Sequence, residues 1–126
     1  MTYVIDASAI LAVLLDEEGA ARVLEVMEQC AVSAVNLSEV VAKLSERGAD
    51  DTTIASATAF FAERAESFDV SQAMDAGLLR MATRIAGLSL GDRACLAMAQ
   101  AKGATALTAD QAWMTLDLDV RIEAIR

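Results

Sequence analysis

The sequence predicts an α/β fold, a three-layer α/β/α sandwich around a central, mainly parallel sheet. Three observations carry that prediction. Short β-prone apolar runs alternate with longer segments whose apolar residues recur at helical spacing. Glycines and capping residues mark most of the boundaries between them. There is no proline to break the helix-heavy pattern. Strands alternating with helices favour parallel crossover units. The 126 residues suffice for one domain with a real core, spanning residues 1–126, and are too few for two.

Taken in order, residues 2–5 are a first strand, ending at Asp6, and residues 7–15 a helix closed by Asp16, Glu17, Glu18 and Gly19. Residues 19–29 are a second helix, with Val23, Leu24 and Met27 on its apolar face, and residues 30–35 a second strand. Asn36 starts the next helix, and Glu39, three residues on, completes the spacing of a capping box. Leu37, Val40, Val41 and Leu44 form its apolar face, and Gly48 stops it. Asp51 or Thr52 caps a helix to about Glu66, and residues 67–70 form a short third strand. Ser71 caps a helix to about Ile85. A helix from Leu90 or Gly91 to Lys102 then stops at Gly103, followed by a strand over residues 104–108 and an edge strand over 120–125.

Composition removes several function classes. Apolar residues make up 56% of the chain and mean hydropathy is +0.41, yet no apolar run reaches the roughly 20 residues that span a bilayer. No Lys or Arg precedes the first apolar run, so it is not read as a signal peptide. The expected location is therefore cytoplasmic, with the apolar excess going into a large core and a partner-covered surface. The net charge of −9 argues against gripping nucleic acid through phosphates alone and suits metal sites and a basic partner. With no histidine and only Cys30 and Cys95, His-based catalysis and Cys-rich zinc sites drop out. Both cysteines lie in apolar contexts and read as buried free thiols.

Carboxylates remain. In a parallel sheet, ligands bind outside the carboxyl ends of the strands. Asp6 follows the first strand, Asp110 follows the 104–108 strand, and Glu39 lies in the first turn after the second strand. Asp92 opens a helix that follows another helix and a loop, so topology alone does not bring it to that rim. Clustered carboxylates repel one another and need a divalent cation, and oxygen-only ligands select Mg²⁺ or Mn²⁺. Such a cation also lets an acidic pocket accept an anionic strand. Each residue has a plainer reading. Asp6 would cap the following helix, Asp92 would complement a helix dipole, and Asp110 would serve a turn. Glu39, Lys43 and Glu46 would form a solvated charged face with an ion pair. Ser8 and Thr108, each two positions from a rim aspartate, would bond local backbone.

These residues carry a resemblance. YVIDASAILAVLL, NLSEVVAKL and LSLGDRACLAMAQAKGATALTAD resemble the acidic motifs of PIN-domain ribonucleases, in particular the VapC-type toxins of VapBC toxin–antitoxin systems. The resemblance spans essentially the whole chain, and the four acidic positions keep the family's order and spacing. It implies Mg²⁺- or Mn²⁺-dependent endonucleolytic cleavage of RNA, tRNA or rRNA, leaving a 5′-phosphate and a 3′-hydroxyl. It further implies Asp6 and Asp92 as metal ligands, with Asp110 as a ligand or supporting carboxylate. Glu39 would bind the metal through water or orient the attacking water, and Ser8 and Thr108 would support the site. The implied partners are a cognate VapB-type antitoxin, through which alone DNA would be contacted, and a second copy of the chain. The segments around Val23 to Met27 and residues 54–65 would carry partner-facing stripes or plain core.

Two alternatives stand beside this. The chain would be a catalytically inactive PIN-fold binding module, or a housekeeping PIN nuclease without an antitoxin. A response-regulator-like phosphoacceptor protein fits poorly, because Lys43 and Lys102 fall inside predicted helices rather than on the rim.

Overall fold

In the computed structural model, which describes residues 2–126, five strands form one all-parallel sheet. The strands are β1 (Tyr3–Ile5), β2 (Cys30–Ser33), β3 (Ala65–Glu66), β4 (Thr105–Thr108) and β5 (Arg121–Ala124), in the order β3-β2-β1-β4-β5. The chain builds outward from β1 to β3, then crosses back over β1 to add β4 and β5. The reversal of direction falls between β1 and β4, where Tyr3, Val4 and Ile5 pair with Thr105, Ala106 and Leu107.

The period-two alternation of the central strands feeds two cores. Ile5, Val32 and Leu107 point into one, with side chains from α1 (Ala7–Leu14), α2 (Ala20–Val26), α3 (Ala34–Glu46) and α4 (Asp51–Glu63). Their neighbours Val4, Ala31 and Ala106 point into the other, with Cys95, Leu96, Met98 and Ala99 of α7 (Leu90–Lys102) and the fully buried Trp113. Helices α5 (Val70–Leu78) and α6 (Arg80–Thr83) complete the second face, α5 packing on α7. Each fully buried large side chain contributes roughly 1.5–3 kcal/mol by leaving water. Gly103 ends α7 in the left-handed conformation (φ 63°) that lets the chain turn directly into β4.

Several boundaries differ from the sequence reading. Helix α3 begins at Ala34, because Ser33 caps it by accepting from the Val35 amide at 3.2 Å. Asn36 therefore stands inside the first turn, and no capping box forms there. Asp50, not Asp51 or Thr52, caps α4, accepting from the Thr53 amide at 2.8 Å. The third strand is the two-residue Ala65–Glu66 pairing with Val32 and Ser33, not residues 67–70. Asp69 is the cap of α5 and accepts from the Gln72 amide at 2.9 Å, so the residues before it lead into a helix. The expected single helix to Ile85 is broken at Leu79, two residues after the poor helix former Gly77. Thr83 adds to the bend, its hydroxyl donating back to the Leu79 carbonyl at 2.8 Å.

Val23, Val26, Ile54 and Phe61 are core. The exposed apolar row lies instead on α5, α6 and the turn after them. Val70, Met74, Leu78, Met81 and Ile85 are 63–97% exposed and recur at helical spacing. Among the described residues no helix is long and apolar enough to cross a membrane. Cys30 and Cys95 are buried and unpaired.

Candidate active site

Asp6 stands where β1 hands over to α1. Its backbone amide still donates to the Leu107 carbonyl at 3.1 Å, and its side chain caps the helix, Oδ1 accepting from the Ala9 amide at 2.9 Å. Two further hydroxyls fix the carboxylate. Ser8 Oγ lies 2.7 Å from Oδ1 and 2.9 Å from Oδ2, and Thr108 Oγ1 donates to Oδ2 at 2.6 Å. The Thr108 hydroxyl accepts from the Asp110 amide at 3.0 Å, which directs its own proton to Asp6. The Ser8 hydroxyl likewise accepts from the Ala109 amide at 2.9 Å. The carboxylate thus sits 3% exposed at the reversal point of the sheet, the crevice where parallel sheets bind ligands.

Burial pushes the Asp6 pKa up from the ordinary 3.8 to about 6, against the Thr108, Ala9 and Ser8 hydrogen bonds, and the charge of Asp92 pushes the same way. Glu39 is also raised, by its burial first; Asn36 holds it down through a hydrogen bond and Asp92 raises it further. Cys95 lies beneath, fully buried, its thiol donating to the Val4 carbonyl at 3.7 Å. Burial raises that thiol well above its ordinary value, and the charges of Asp6, Asp92 and Glu39 add to the effect. Three of the four predicted acids therefore share one electrostatic field.

Asp92 reaches that field from the first turn of α7. A capping box fixes it there: the Ser89 amide donates to Asp92 Oδ2 at 2.9 Å, and the Asp92 amide donates to Ser89 Oγ at 3.3 Å. Glu39 is held from α3. Asn36 Nδ2 donates to Glu39 Oε1 at 2.9 Å and to the Gly91 carbonyl at 3.0 Å. Lys43 pairs with Glu46 at 3.9 Å, so the expected charged face does not include Glu39. The fourth acid stands apart. Asp110 is exposed, and its Oδ1 accepts from the Ala112 amide at 2.9 Å, capping a 3-10 turn over Gln111–Thr115. Only its backbone joins the network, through Thr108.

The sequence reading gives Asn36 and Gly91 as helix starts only and assigns neither to the site. Asn36 is fully buried, and Gly91 lies under the Glu39 carboxylate so closely that a Cβ there would stand 2.2 Å from Oε1. The available signals were an Asn three residues before the acid and a Gly directly before Asp92.

Among the described residues no three acidic or thiol groups stand at the mutual spacing of a preformed metal cage. The donor chemistry nonetheless fits a hard divalent cation. It offers oxygen only, its carboxylates destabilise one another, and Mg²⁺ commonly takes one or two carboxylates while keeping several waters.

The PIN domain family profile matches residues 3–117. No curated protein sequence matches the chain. Among solved structures, the chain is similar to DNA-bound VapBC from Salmonella typhimurium (TM-score 0.78, 16% identity, 100% of this chain and 99% of that one). It is similar also to a toxin–antitoxin complex from Klebsiella pneumoniae (TM-score 0.76, 17% identity, 99% and 98%). A third is VapC20 from Mycobacterium tuberculosis, a sarcin–ricin-loop-cleaving toxin (TM-score 0.74, 17% identity, 95% and 99%). At such identities the likeness is one of fold. The family match, running over nearly the whole sheet and all four acids, is what assigns the chain, which belongs to the PIN domain family.

Proposed function

We propose that the chain, as a single PIN domain over residues 1–126, is the ribonuclease toxin of a VapBC-type toxin–antitoxin pair, cleaving RNA with Mg²⁺ or Mn²⁺. The observation that carries the reading is the buried Asp6 carboxylate sharing one field with Glu39 and Asp92 at the sheet's reversal point. Membership of the PIN family supports it, as does the likeness in fold to VapBC complexes and to a toxin that cleaves a sarcin–ricin loop.

In this reading Asp6 and Asp92 hold the ion, and Asp110 adds a ligand or a supporting carboxylate from the loop after β4. The ion, when bound, activates water and offsets charge on the scissile phosphate. Ser8 and Thr108 keep Asp6 oriented with their hydroxyls. Glu39, its pKa raised by burial, orients the attacking water and receives its proton.

The partners we assign are a VapB-type antitoxin, which would make the DNA contacts, and a second copy of the chain. The exposed row from Val70 to Ile85 supports a protein partner, since monomers rarely leave such rows uncovered. The same reading puts the protein in the cytoplasm, where its RNA substrate is.

The test is cleavage of a panel of structured RNAs by purified protein at saturating Mn²⁺, with Asp6→Asn as control. Metal-dependent cleavage lost in the variant supports the reading. A wild-type protein inert with both Mg²⁺ and Mn²⁺ makes the chain a binding module instead.

A further inference from the structure

We propose that Asn36 and Gly91 are positioning residues that clamp Glu39 to the first turn of α7 and dock that turn onto the first turn of α3. The proposal rests on the reading of Glu39 and Asp92 as parts of one site.

Helix α7 turns at Gly103 straight into β4, so it runs back along the sheet and its first turn, with Asp92, falls at the strands' carboxyl end. Helix α3 follows β2 directly, so its first turn lies at the same end, and the first turns of α3 and α7 meet there. The Asn36 side chain hydrogen-bonds across that meeting. One amide group donates to both Glu39 Oε1 on its own helix and the Gly91 carbonyl on the other, at 2.9 and 3.0 Å.

The orientation of that amide is determined. Both partners are acceptors, so the NH₂ must face them; the reverse orientation would set oxygen against oxygen. The choice leaves Asn36 Oδ1 buried with no partner among the described residues. Leaving a buried acceptor unpaired costs free energy. The side chain holds that position for its two donor bonds.

Gly91 supplies the other half of the clamp. A Cβ on it would lie 2.2 Å from Glu39 Oε1, 2.4 Å from Cδ and 2.4 Å from Oε2. All three atoms are at the end of a flexible side chain, so an alanine would expel the carboxylate rather than move the helices. Alanine is also the better helix former, so the fold tolerates the change. Gly91→Ala therefore displaces Glu39 without removing it.

The experiment compares Gly91→Ala, Asn36→Ala, Asn36→Ser and Glu39→Ala, with both double variants carrying Glu39→Ala, all in the full chain. It measures Mn²⁺ affinity by calorimetry without RNA, then kcat and KM on bulk tRNA or whichever panel RNA is cut, and the thermal midpoint. We expect Gly91→Ala and Asn36→Ala each to weaken Mn²⁺ binding and kcat by roughly tenfold to a hundredfold, the range for misplaced supporting groups. KM should hold, Asn36→Ser should recover part of the loss, and neither substitution should cost anything further once Glu39 is alanine. Gly91→Ala with wild-type kcat and Mn²⁺ affinity, beside an impaired Glu39→Ala, overturns the clamp and leaves the ribonuclease reading intact. A fully active Glu39→Ala, or a wild-type chain that binds no Mn²⁺, overturns the reading of the site itself and the clamp with it.

Discussion

Thr108 donates its hydroxyl proton to Asp6 across the β1–β4 boundary at 2.6 Å, and accepts the Asp110 amide at 3.0 Å in the same place. One buried hydroxyl thus serves the most buried acid of the site and the loop that carries the most exposed one. Thr108→Val keeps the shape and removes both bonds. We expect a loss of about 1–3 kcal/mol in denaturant unfolding, the range for stranding buried polar groups. The Asp6 pKa should rise further, because Thr108 is the strongest of the hydrogen bonds that lower it. Thr108→Ser should restore most of both.

Asp6 makes stability fall as pH rises. Its pKa is 3.8 in an ordinary setting and about 6 in the fold, so the native state binds the proton more tightly than the unfolded chain. Stability is then fullest below pH 4 as far as this group is concerned. It declines between pH 4 and about 6 and stays lower above, by on the order of 3 kcal/mol for the whole shift. Chemical denaturation across that interval should show the decline, and Asp6→Asn should flatten it. Mn²⁺ should raise the thermal midpoint more at pH 7.5 than at pH 5, and Asp6→Asn should abolish that gain.

Asp92 separates charge from capping. Asp92→Asn retains an acceptor for the Ser89 amide and loses the negative charge, whereas Asp92→Ala loses both. The alanine variant should be less stable than the asparagine one by about 1 kcal/mol, the scale of a helix cap. Both should be inactive in metal-dependent cleavage. Since Asp92 raises Asp6 in the fold, the asparagine variant should also move the upper end of the Asp6-linked decline to lower pH and make the decline smaller.

Asp110→Ala removes one exposed cap bond, to the Ala112 amide, while the backbone bond to Thr108 stays. Stability should change by about 1 kcal/mol or less. Cleavage should drop at least tenfold, a loss that an exposed turn residue without a role at the ion would not produce. Equal rates in wild type and variant would confine Asp110 to capping.

Much of this arrangement was legible in the residues themselves. The strands over β1, β2, β4 and β5 are legible as short β-prone runs, and Ser8 stands two positions from Asp6, the carboxylate it contacts; Thr108 instead bonds Asp6 across the sheet, not the side chain of its neighbour Asp110. What was illegible depends on competition or on tertiary contact. Asn36 and Glu39 have capping-box spacing, but Ser33, three residues earlier, takes the helix start. A two-residue strand such as Ala65–Glu66 has no periodicity to read and exists only through its pairing with Val32 and Ser33. Asp92 shares the field of Asp6 and Glu39 through the packing of α7 on the sheet and on α3, and no local pattern announces a glycine under a carboxylate 52 positions earlier.

The strand order has a consequence for how the molecule comes into being. A chain growing from its N-terminus makes Asp6 at once and can pair β1, β2 and β3 by residue 66, yet Thr108 lies 102 residues beyond Asp6. Until β4 inserts, β1 is an edge, its acid lacks its hydroxyl partner, and the turn bearing Asp92 has only just been made. Contacts of such long sequence separation are the slow ones in folding. The Asp6–Thr108 bond can therefore form only after nearly the whole chain has been made, and it closes late.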